Sequence, residues 1–328
     1  MQVLITGGTG FIGARLAERC LARGDRVRIL GLRNTPAEEA AAARVGALGV
    51  EFVEGSVTER ADVARALCGV EAVFHLAAAQ HEANVPESYF HDINVEGTRA
   101  VLEAASAVSV RRFVHGSTIG VYGWESGETV RNDTRLSPDH VYGRTKLLGE
   151  EVVRARDDVP WVIVRIAETY GPGDHRLLKL FRGAAKGLNL AIGAGRNLHH
   201  LVFVEDLVDG LLAAAQSPRA ERKTYVLAGA EPVTTDAMLR SVASAVGGRV
   251  RTLRIPLLPL LCVATALEMT LGKVGIQPPL HRRRMDFFRR SFAFSIDEAR
   301  ADLGYDPKTD LETGMATTCA WYRAEGLI

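Results

Sequence analysis

The chain has 328 residues, 47% of them apolar, and 40 basic against 39 acidic side chains leave a formal net charge of +1. That balance excludes a disordered chain and a nucleic-acid-coating one, and the length predicts one large or two unequal globular domains. Four cysteines, at 20, 68, 262 and 319, form no C-x-x-C pair and no metal signature; they read as buried small apolar residues in a reducing compartment. The chain opens on a core strand rather than a signal peptide. Its longest apolar run, residues 255–267, is broken by Pro256 and Pro259 and meets Glu268. That is too short for a bilayer span, and a cytoplasmic location is expected.

Residues 2–13 read QVLITGGTGFIG. Val3-Leu4-Ile5 predicts a strand, the glycines at 7, 8, 10 and 13 a tight turn, and Leu16, Ala17, Cys20 and Leu21 the apolar face of a helix starting near Phe11. Such a turn lets a ligand approach bare backbone, and the helix start points unpaired N–H groups at it. A dinucleotide pyrophosphate is the expected occupant, with Gly7, Gly10, Phe11, Ile12 and Gly13 around it. The spacing is Gly7-x-x-Gly10-x-x-Gly13, not G-x-G-x-x-G.

Strand and helix patterns then alternate. Strands are predicted at 27–30, 50–53, 72–75 and 113–115, and helices at 36–45, 61–67 and 89–105. Alternation of this kind predicts a doubly wound parallel sheet with helices on both faces, and ligands at the carboxyl ends of its strands. The second strand ends Leu30-Gly31-Leu32-Arg33, with no carboxylate to hold an adenosine ribose. Arg33 suits a 2′-phosphate through charge-assisted bonds, which favours NADP, with NAD as the alternative if Arg33 is only a solvated surface residue.

Tyr142-Gly143-Arg144-Thr145-Lys146 opens the helix that carries Leu147, Leu148, Val152 and Val153. Tyr142 and Lys146 stand four apart and share one face. An ammonium there lowers the tyrosine pKa toward working pH, which makes the pair a proton donor and acceptor for an alcohol or carbonyl. Four apart on a helix, the same two residues also fit a plain solvated face.

With TGGTGFIG, His75-Leu76-Ala77-Ala78, Asn94-Val95-Glu96-Gly97-Thr98, Ser117-Thr118-Ile119-Gly120-Val121-Tyr122-Gly123 and Tyr142-x-x-x-Lys146 in this order, the chain resembles the extended short-chain dehydrogenase/reductase superfamily. That superfamily includes the NDP-sugar epimerases and the 3β-hydroxysteroid dehydrogenase-like enzymes. The resemblance covers essentially the whole chain and continues through Arg165, Tyr170-Gly171-Pro172-Gly173-Asp174, Val204-Glu205-Asp206 and Asp302-Leu303-Gly304-Tyr305-x-Pro307. It implies a Rossmann-type domain over residues 1–169, rejoined by 200–228, and a smaller, mostly helical substrate lobe from 170–199 and 229–328. It makes Tyr142 the general acid/base, Lys146 the ribose-holding cation and Thr118 the hydroxyl on the reacting oxygen, with Ser117 as the neighbouring candidate. Leu76, Ala77 and Ala78 would line the cofactor cleft. Asn94 would brace its helix. His75 could line the cleft or be a satisfied core residue, and His81, His91, His199 and His200 are read as structural. No metal is expected. A homodimer through helices 89–105 and 142–156 is implied.

The resemblance divides on the substrate. Sugar-nucleotide enzymes carry an asparagine where this chain has Glu168 and an arginine where it has His199, which weakens the case for a diphosphate. The segment after Thr118 lacks the Asp-Glu pair of dehydratases. Residues 255–271 are apolar, followed by Gln277-Pro278-Pro279-Leu280, Met285, Phe287, Phe288, Phe292 and Phe294. This layout resembles the 3β-hydroxysteroid dehydrogenase-like and 2-alkyl-3-oxoalkanoate reductase branch, and such residues serve as lobe core or as pocket lining. His281-Arg282-Arg283-Arg284 with Arg289-Arg290 reads as a solvated face, as a peripheral membrane contact of the 255–290 region, or as a substrate-phosphate site. The expectation is an NAD(P)-dependent oxidoreductase for a secondary alcohol or ketone of a largely apolar small molecule. An NDP-sugar epimerase or reductase with the same Thr-Tyr-Lys site is the alternative, and no nucleic-acid partner is expected.

Overall fold

A computed structural model of the protein describes residues 1–80, 85–123, 129–271 and 289–328. Its strands are β1 (Gln2–Thr6), β2 (Arg26–Gly31), β3 (Glu51–Glu54), β4 (Ala72–His75), β5 (Arg112–Thr118), β6 (Trp161–Ile166), β7 (Glu168–Tyr170), β8 (Leu188–Ile192), β9 (Leu198–His199), β10 (Leu201–Phe203), β11 (Lys223–Leu227), β12 (Val233–Thr234) and β13 (Arg251–Ile255). The helices are α1 (Phe11–Ala22), α2 (Pro36–Gly46), α3 (Arg60–Leu67), α4 (Glu87–His91), α5 (Thr98–Ala107), α6 (Val141–Arg154), α7 (Leu178–Ala185), α8 (Val204–Gln216), α9 (Thr235–Val246), α10 (Leu257–Leu271), α11 (Asp297–Leu303) and α12 (Leu311–Ala324).

Seven strands form one parallel sheet in the order β11-β6-β5-β4-β1-β2-β3. This is the doubly wound Rossmann order, extended at one edge by β11. Side chains alternate across it as the pleat requires. Val3 and Ile5 of β1, Val114 of β5 and Val162 and Val164 of β6 pack into one hydrophobic cluster. Leu4, Phe113 and Ile163 pack into another, with α3 and α5. Burial on both faces explains why these strands read as apolar runs rather than as alternating ones. A third cluster joins Tyr170, Phe181, Met238, Met315 and Tyr322 in the more helical C-terminal region.

The helix predicted over 89–105 is not one α-helix. Between α4 and α5 the backbone widens into a π-turn at Asp92–Gly97. Asn94, within it, is fully buried. Its side chain accepts from the Ala79 amide at 2.8 Å and donates to the Ala79 carbonyl at 3.0 Å and to Thr145 Oγ1 at 2.9 Å. Those bonds fasten the helix to the loop after β4 and to α6, the bracing expected of this residue.

The apolar run after residue 255 becomes α10, with Pro256 between it and β13 and Pro259 in its first turn. No helix among the described residues is long and apolar enough to cross a membrane. Cys20 and Cys319 are buried as expected, but Cys68 and Cys262 are exposed, because they stand at a helix end and on an outer helix face. His81, 277–280, 281–284, Met285, Phe287 and Phe288 lie outside the described residues. Phe294 is buried in the core, its ring 5.9 Å from that of Tyr122, with Phe292 stacked upon it.

Candidate functional site

Strands β1, β4, β5 and β6 end on one side of the sheet, and the candidate residues collect there. After β1, Gly7 turns with φ +72°. A Cβ on it would lie 2.7 Å from the Ala77 nitrogen and 2.8 Å from the Leu76 carbonyl carbon, so only glycine passes the end of β4. The Gly10 amide closes the turn on the Gly7 carbonyl at 3.0 Å. Gly13, buried in the first turn of α1, stands against that same carbonyl with no space for a side chain. No side chain caps α1 and no acid stands in its first turn. The amides near Phe11, Ile12 and Gly13, with the positive end of the helix dipole, are therefore free to meet an anion. The 171–174 segment lies over this start: Gly173 sits on the Phe11 ring, and Arg15 Nε donates to the Pro172 carbonyl at 3.4 Å.

His75 ends β4 fully buried. Its Nδ1 is 2.8 Å from Thr6 Oγ1 and its Nε2 2.9 Å from Thr98 Oγ1. Burial, with Lys146 nearby, pulls it down to about 3, so it is a neutral, satisfied core histidine. Thr6 Oγ1 also accepts from the Ala77 amide at 3.2 Å, and the Leu76 amide donates to the Thr6 carbonyl at 3.1 Å. These bonds shape the half-buried edge Leu76-Ala77-Ala78. Across the sheet, the Arg33 guanidinium lies 4.5 Å over the Phe52 ring and 3.5 Å from Glu39 Oε1. Stacking fixes its plane while its edge stays capable of bidentate bonding.

At the start of α6, His140 Nδ1 accepts from the Gly143 amide at 2.9 Å. A Cβ on Gly143 would come within 2.6 Å of the Gly120 carbonyl. That close approach sets α6 against the 3-10 turn Ile119–Val121, where Thr118 Oγ1 accepts from the Gly120 amide at 3.1 Å. Thr118 and Tyr142 are thereby brought together, and the Thr118 hydroxyl acts to lower the Tyr142 pKa. Burial pushes the Tyr142 hydroxyl up to about 12, against the Thr118 hydroxyl and the Arg176 charge, which both lower it. The lowering predicted from the Tyr142/Lys146 spacing is overridden, because burial disfavours the phenolate more than its surroundings favour it.

Lys146 is 1% exposed, and its Nζ has no hydrogen-bond partner among the described residues. Burial pulls its ammonium down to about 8, and Glu150, one turn on, opposes that. A buried donor without an acceptor is expensive. The hydroxyls of a nicotinamide ribose are the right chemistry to satisfy it, and the glycine turn is the right cradle for a pyrophosphate, so these residues fit a dinucleotide. Ser117 does not compete with Thr118. It is buried, and its Oγ donates to Glu150 Oε1 at 2.5 Å.

Two features escaped the sequence. Arg176, half-exposed, holds Asp174 Oδ1 through its amide at 2.8 Å and its Nε at 3.0 Å and acts on Tyr142. Its only signal was its place two residues past the Tyr170–Asp174 motif. The other is that Glu168 and His199 form a pair. His199 Nδ1 is 3.3 Å from Glu168 Oε2, and its Nε2 is 2.9 Å from Thr235 Oγ1 and 3.1 Å from Asn197 Nδ2. His200 is structural: its Nε2 donates to the Gly229 carbonyl at 2.9 Å, and its Nδ1 accepts from the Phe294 amide at 3.0 Å.

Residues 3–228 match the model of the NAD dependent epimerase/dehydratase family. The chain is 30% identical over 328 residues to the uncharacterized protein y4nG of Sinorhizobium fredii, covering 98% of this chain and 78% of that protein. It is 27% identical to a 3-beta-hydroxysteroid dehydrogenase of Mycolicibacterium neoaurum, across 98% of this chain and 91% of that one. Among solved structures, the UDP-glucuronic acid 4-epimerase of Bacillus cereus in complex with NAD superimposes with a TM-score of 0.79 at 21% identity, over 99% of each chain. A likeness at that identity speaks for the fold.

Proposed function

The chain belongs to the NAD dependent epimerase/dehydratase family, of the extended short-chain dehydrogenase/reductase type, and on that premise we propose that it oxidises or reduces a secondary alcohol or ketone carbon. A nicotinamide bound there would supply the acceptor and donor for the hydride of that carbon. Tyr142 takes the alcohol proton in one direction and gives it back in the other. Because the Gly120 amide already occupies an acceptor site on Thr118 Oγ1, the hydroxyl proton is left to hold the reacting oxygen. Lys146 holds the ribose and, as a buried cation, favours the phenolate. Gly7, Gly10, Phe11, Ile12 and Gly13 hold the pyrophosphate beside Leu76, Ala77 and Ala78.

The observation that carries this reading is the meeting of the Thr118 and Tyr142 hydroxyls, one helical turn from a buried ammonium with no hydrogen-bond partner among the described residues. NAD is the cofactor in the family's description and in the Bacillus cereus neighbour's name. The stacked Arg33 supports NADP. We assign residues 1–169 and 200–228 to the cofactor domain and 170–199 and 229–328 to the substrate lobe. A homodimer through α4–α6 is supported by exposed Tyr89 and Leu148.

For the substrate, an NDP-sugar is better backed by the comparisons than the largely apolar alcohol expected from the sequence, since the family description and the epimerase neighbour both point to it. The apolar alcohol keeps two supports, the Glu168–His199 pair and the 3-beta-hydroxysteroid dehydrogenase relative. A thermal-shift screen in the presence of NAD or NADP separates the two. Stabilisation by UDP-sugars but not by hydrophobic ketones selects the first, and the reverse selects the second. Tyr142→Phe is expected to lower turnover by at least ~100-fold and to leave cofactor binding intact. Unchanged turnover would remove Tyr142 from the mechanism.

A further inference from the structure

Glu150 lies on α6 at the same four-residue step that links Tyr142 to Lys146, so the three side chains run along one face. It is fully buried. Its carboxylate receives Ser117 Oγ at 2.5 Å, Arg165 Nε at 3.0 Å, Arg165 Nη2 at 2.8 Å and Arg154 Nη2 at 2.7 Å. Arg165, 2% exposed, continues to the Tyr122 hydroxyl at 2.7 Å. Ser117 is the residue before Thr118, and Arg165 is its register partner on β6. One carboxylate thus ties the helix of Tyr142 to the strand end of Thr118.

The same carboxylate faces a charge problem. Lys146 Nζ is buried and no acceptor among the described residues touches it. The titratable and charged groups around it are Tyr142, Glu150 and Arg154 on its own helix, His75 on β4, His115 on β5 and Arg165 on β6. Glu87 and His91 of α4, and Asp92 and Glu96 of the π-turn, also belong to elements packed on α6, but they are exposed to water. Both histidines are held neutral by burial. Glu150 is therefore the buried negative charge that acts on Lys146, even with Arg165 and Arg154 upon it.

We propose that Glu150 is a positioning residue for proton transfer: through Ser117 and Arg165 it holds Thr118 in line with Tyr142, and across one helical turn it is the counter-charge of the buried Lys146 ammonium. This rests on the proposed role of Tyr142, Thr118 and Lys146, but its first test needs no turnover. In the full-length protein, the Lys146 side chain is followed by nitrogen NMR as pH rises, with its signal assigned by comparison with Lys146→Arg. Glu150→Gln keeps the shape and removes the charge. It should lower the Lys146 midpoint by about one pH unit or more. Arg154→Ala, at a half-exposed residue, removes a cation that competes for the carboxylate. It should move the midpoint the opposite way. A merely structural Glu150 would leave both midpoints where they were. An unmoved midpoint in Glu150→Gln overturns the proposal; if that variant does not fold, an unmoved midpoint in Arg154→Ala overturns it. Where a substrate is in hand, Ser117→Ala should lower kcat about tenfold with KM unchanged, and an unchanged kcat would overturn the Ser117 link. Absence of turnover in the wild-type protein would count against the proposed function alone, because the NMR midpoints decide the role of Glu150 separately.

Discussion

His199 Nδ1 lies 3.3 Å from Glu168 Oε2, joining β9 to β7. Glu168 follows Ile166, the register partner of Thr118, by two residues. The pair sets an imidazole, where the sugar-nucleotide enzymes have an arginine, beside a carboxylate, which disfavours a diphosphate. The double variant Glu168→Asn with His199→Arg should therefore bind UDP-glucose about tenfold more tightly than the wild type, a difference of about 1.4 kcal/mol. Calorimetry measures it directly, and equal affinities would show that the pair does not set the preference.

Lys146→Met should stabilise the fold while impairing turnover. Burial pulls the wild-type ammonium from the ordinary lysine value of 10.5 down to about 8, a strain on the order of a few kcal/mol at neutral pH. Between those two values the unfolded chain holds a proton that the folded chain has released, so wild-type stability rises with pH across that window. Methionine removes both the strain and the slope. Denaturant unfolding at pH 7 and at pH 10 tests this, and a variant that is less stable at pH 7 contradicts it.

Arg176→Gln should make Tyr142 harder to ionise. The guanidinium is one of two influences that oppose the upward push of burial on the phenol. Its loss should raise the tyrosinate midpoint by roughly half a unit to one unit, read by ultraviolet difference titration against Tyr142→Phe. Oxidation needs the phenolate and reduction needs the phenol, so the oxidative kcat should fall more than the reductive one. Equal losses in both directions would mean that Arg176 acts by some other route.

Arg33→Ala should weaken NADPH by about tenfold to a hundredfold and leave NADH nearly unchanged. Calorimetry with both cofactors, on wild type and variant, is the measurement. If wild type binds NADH as well as NADPH, the ion pair with Glu39 and the stacking on Phe52 account for Arg33 without any phosphate.

The parts of the site that were legible in the sequence are those written locally. The glycine turn and Tyr142-x-x-x-Lys146 each fit within a few residues, where spacing alone fixes which groups share a face. Thr118 was separable from Ser117 only once β5 had an orientation, with Ser117 turned to Glu150. Glu150, Arg165 and Arg176 act over sequence gaps that no local period encodes. The phenol's burial was also illegible, because it comes from the packing of α6 on the 3-10 turn and not from the residues beside Tyr142. The sequence marked Phe292 and Phe294 as apolar without saying which cluster would absorb them. Phe294 enters the main core because the Val130 amide donates to the Ala293 carbonyl at 2.8 Å and the Ser295 amide to the Val130 carbonyl at 2.8 Å.

The π-turn at Asp92–Gly97 holds one more residue per loop than the α-helix around it. Deleting one residue there would let the segment relax to an ordinary helix and rotate everything beyond it by about 100°. Thr98 would swing away from His75, and Val101, Leu102 and Ala105 would no longer face the sheet. Asn94 with its three bonds aside, substitutions in this stretch change single contacts, whereas a one-residue indel changes the phase of the whole helix. Length, more than identity, is thus the constrained property of the segment between Phe90 and Thr98.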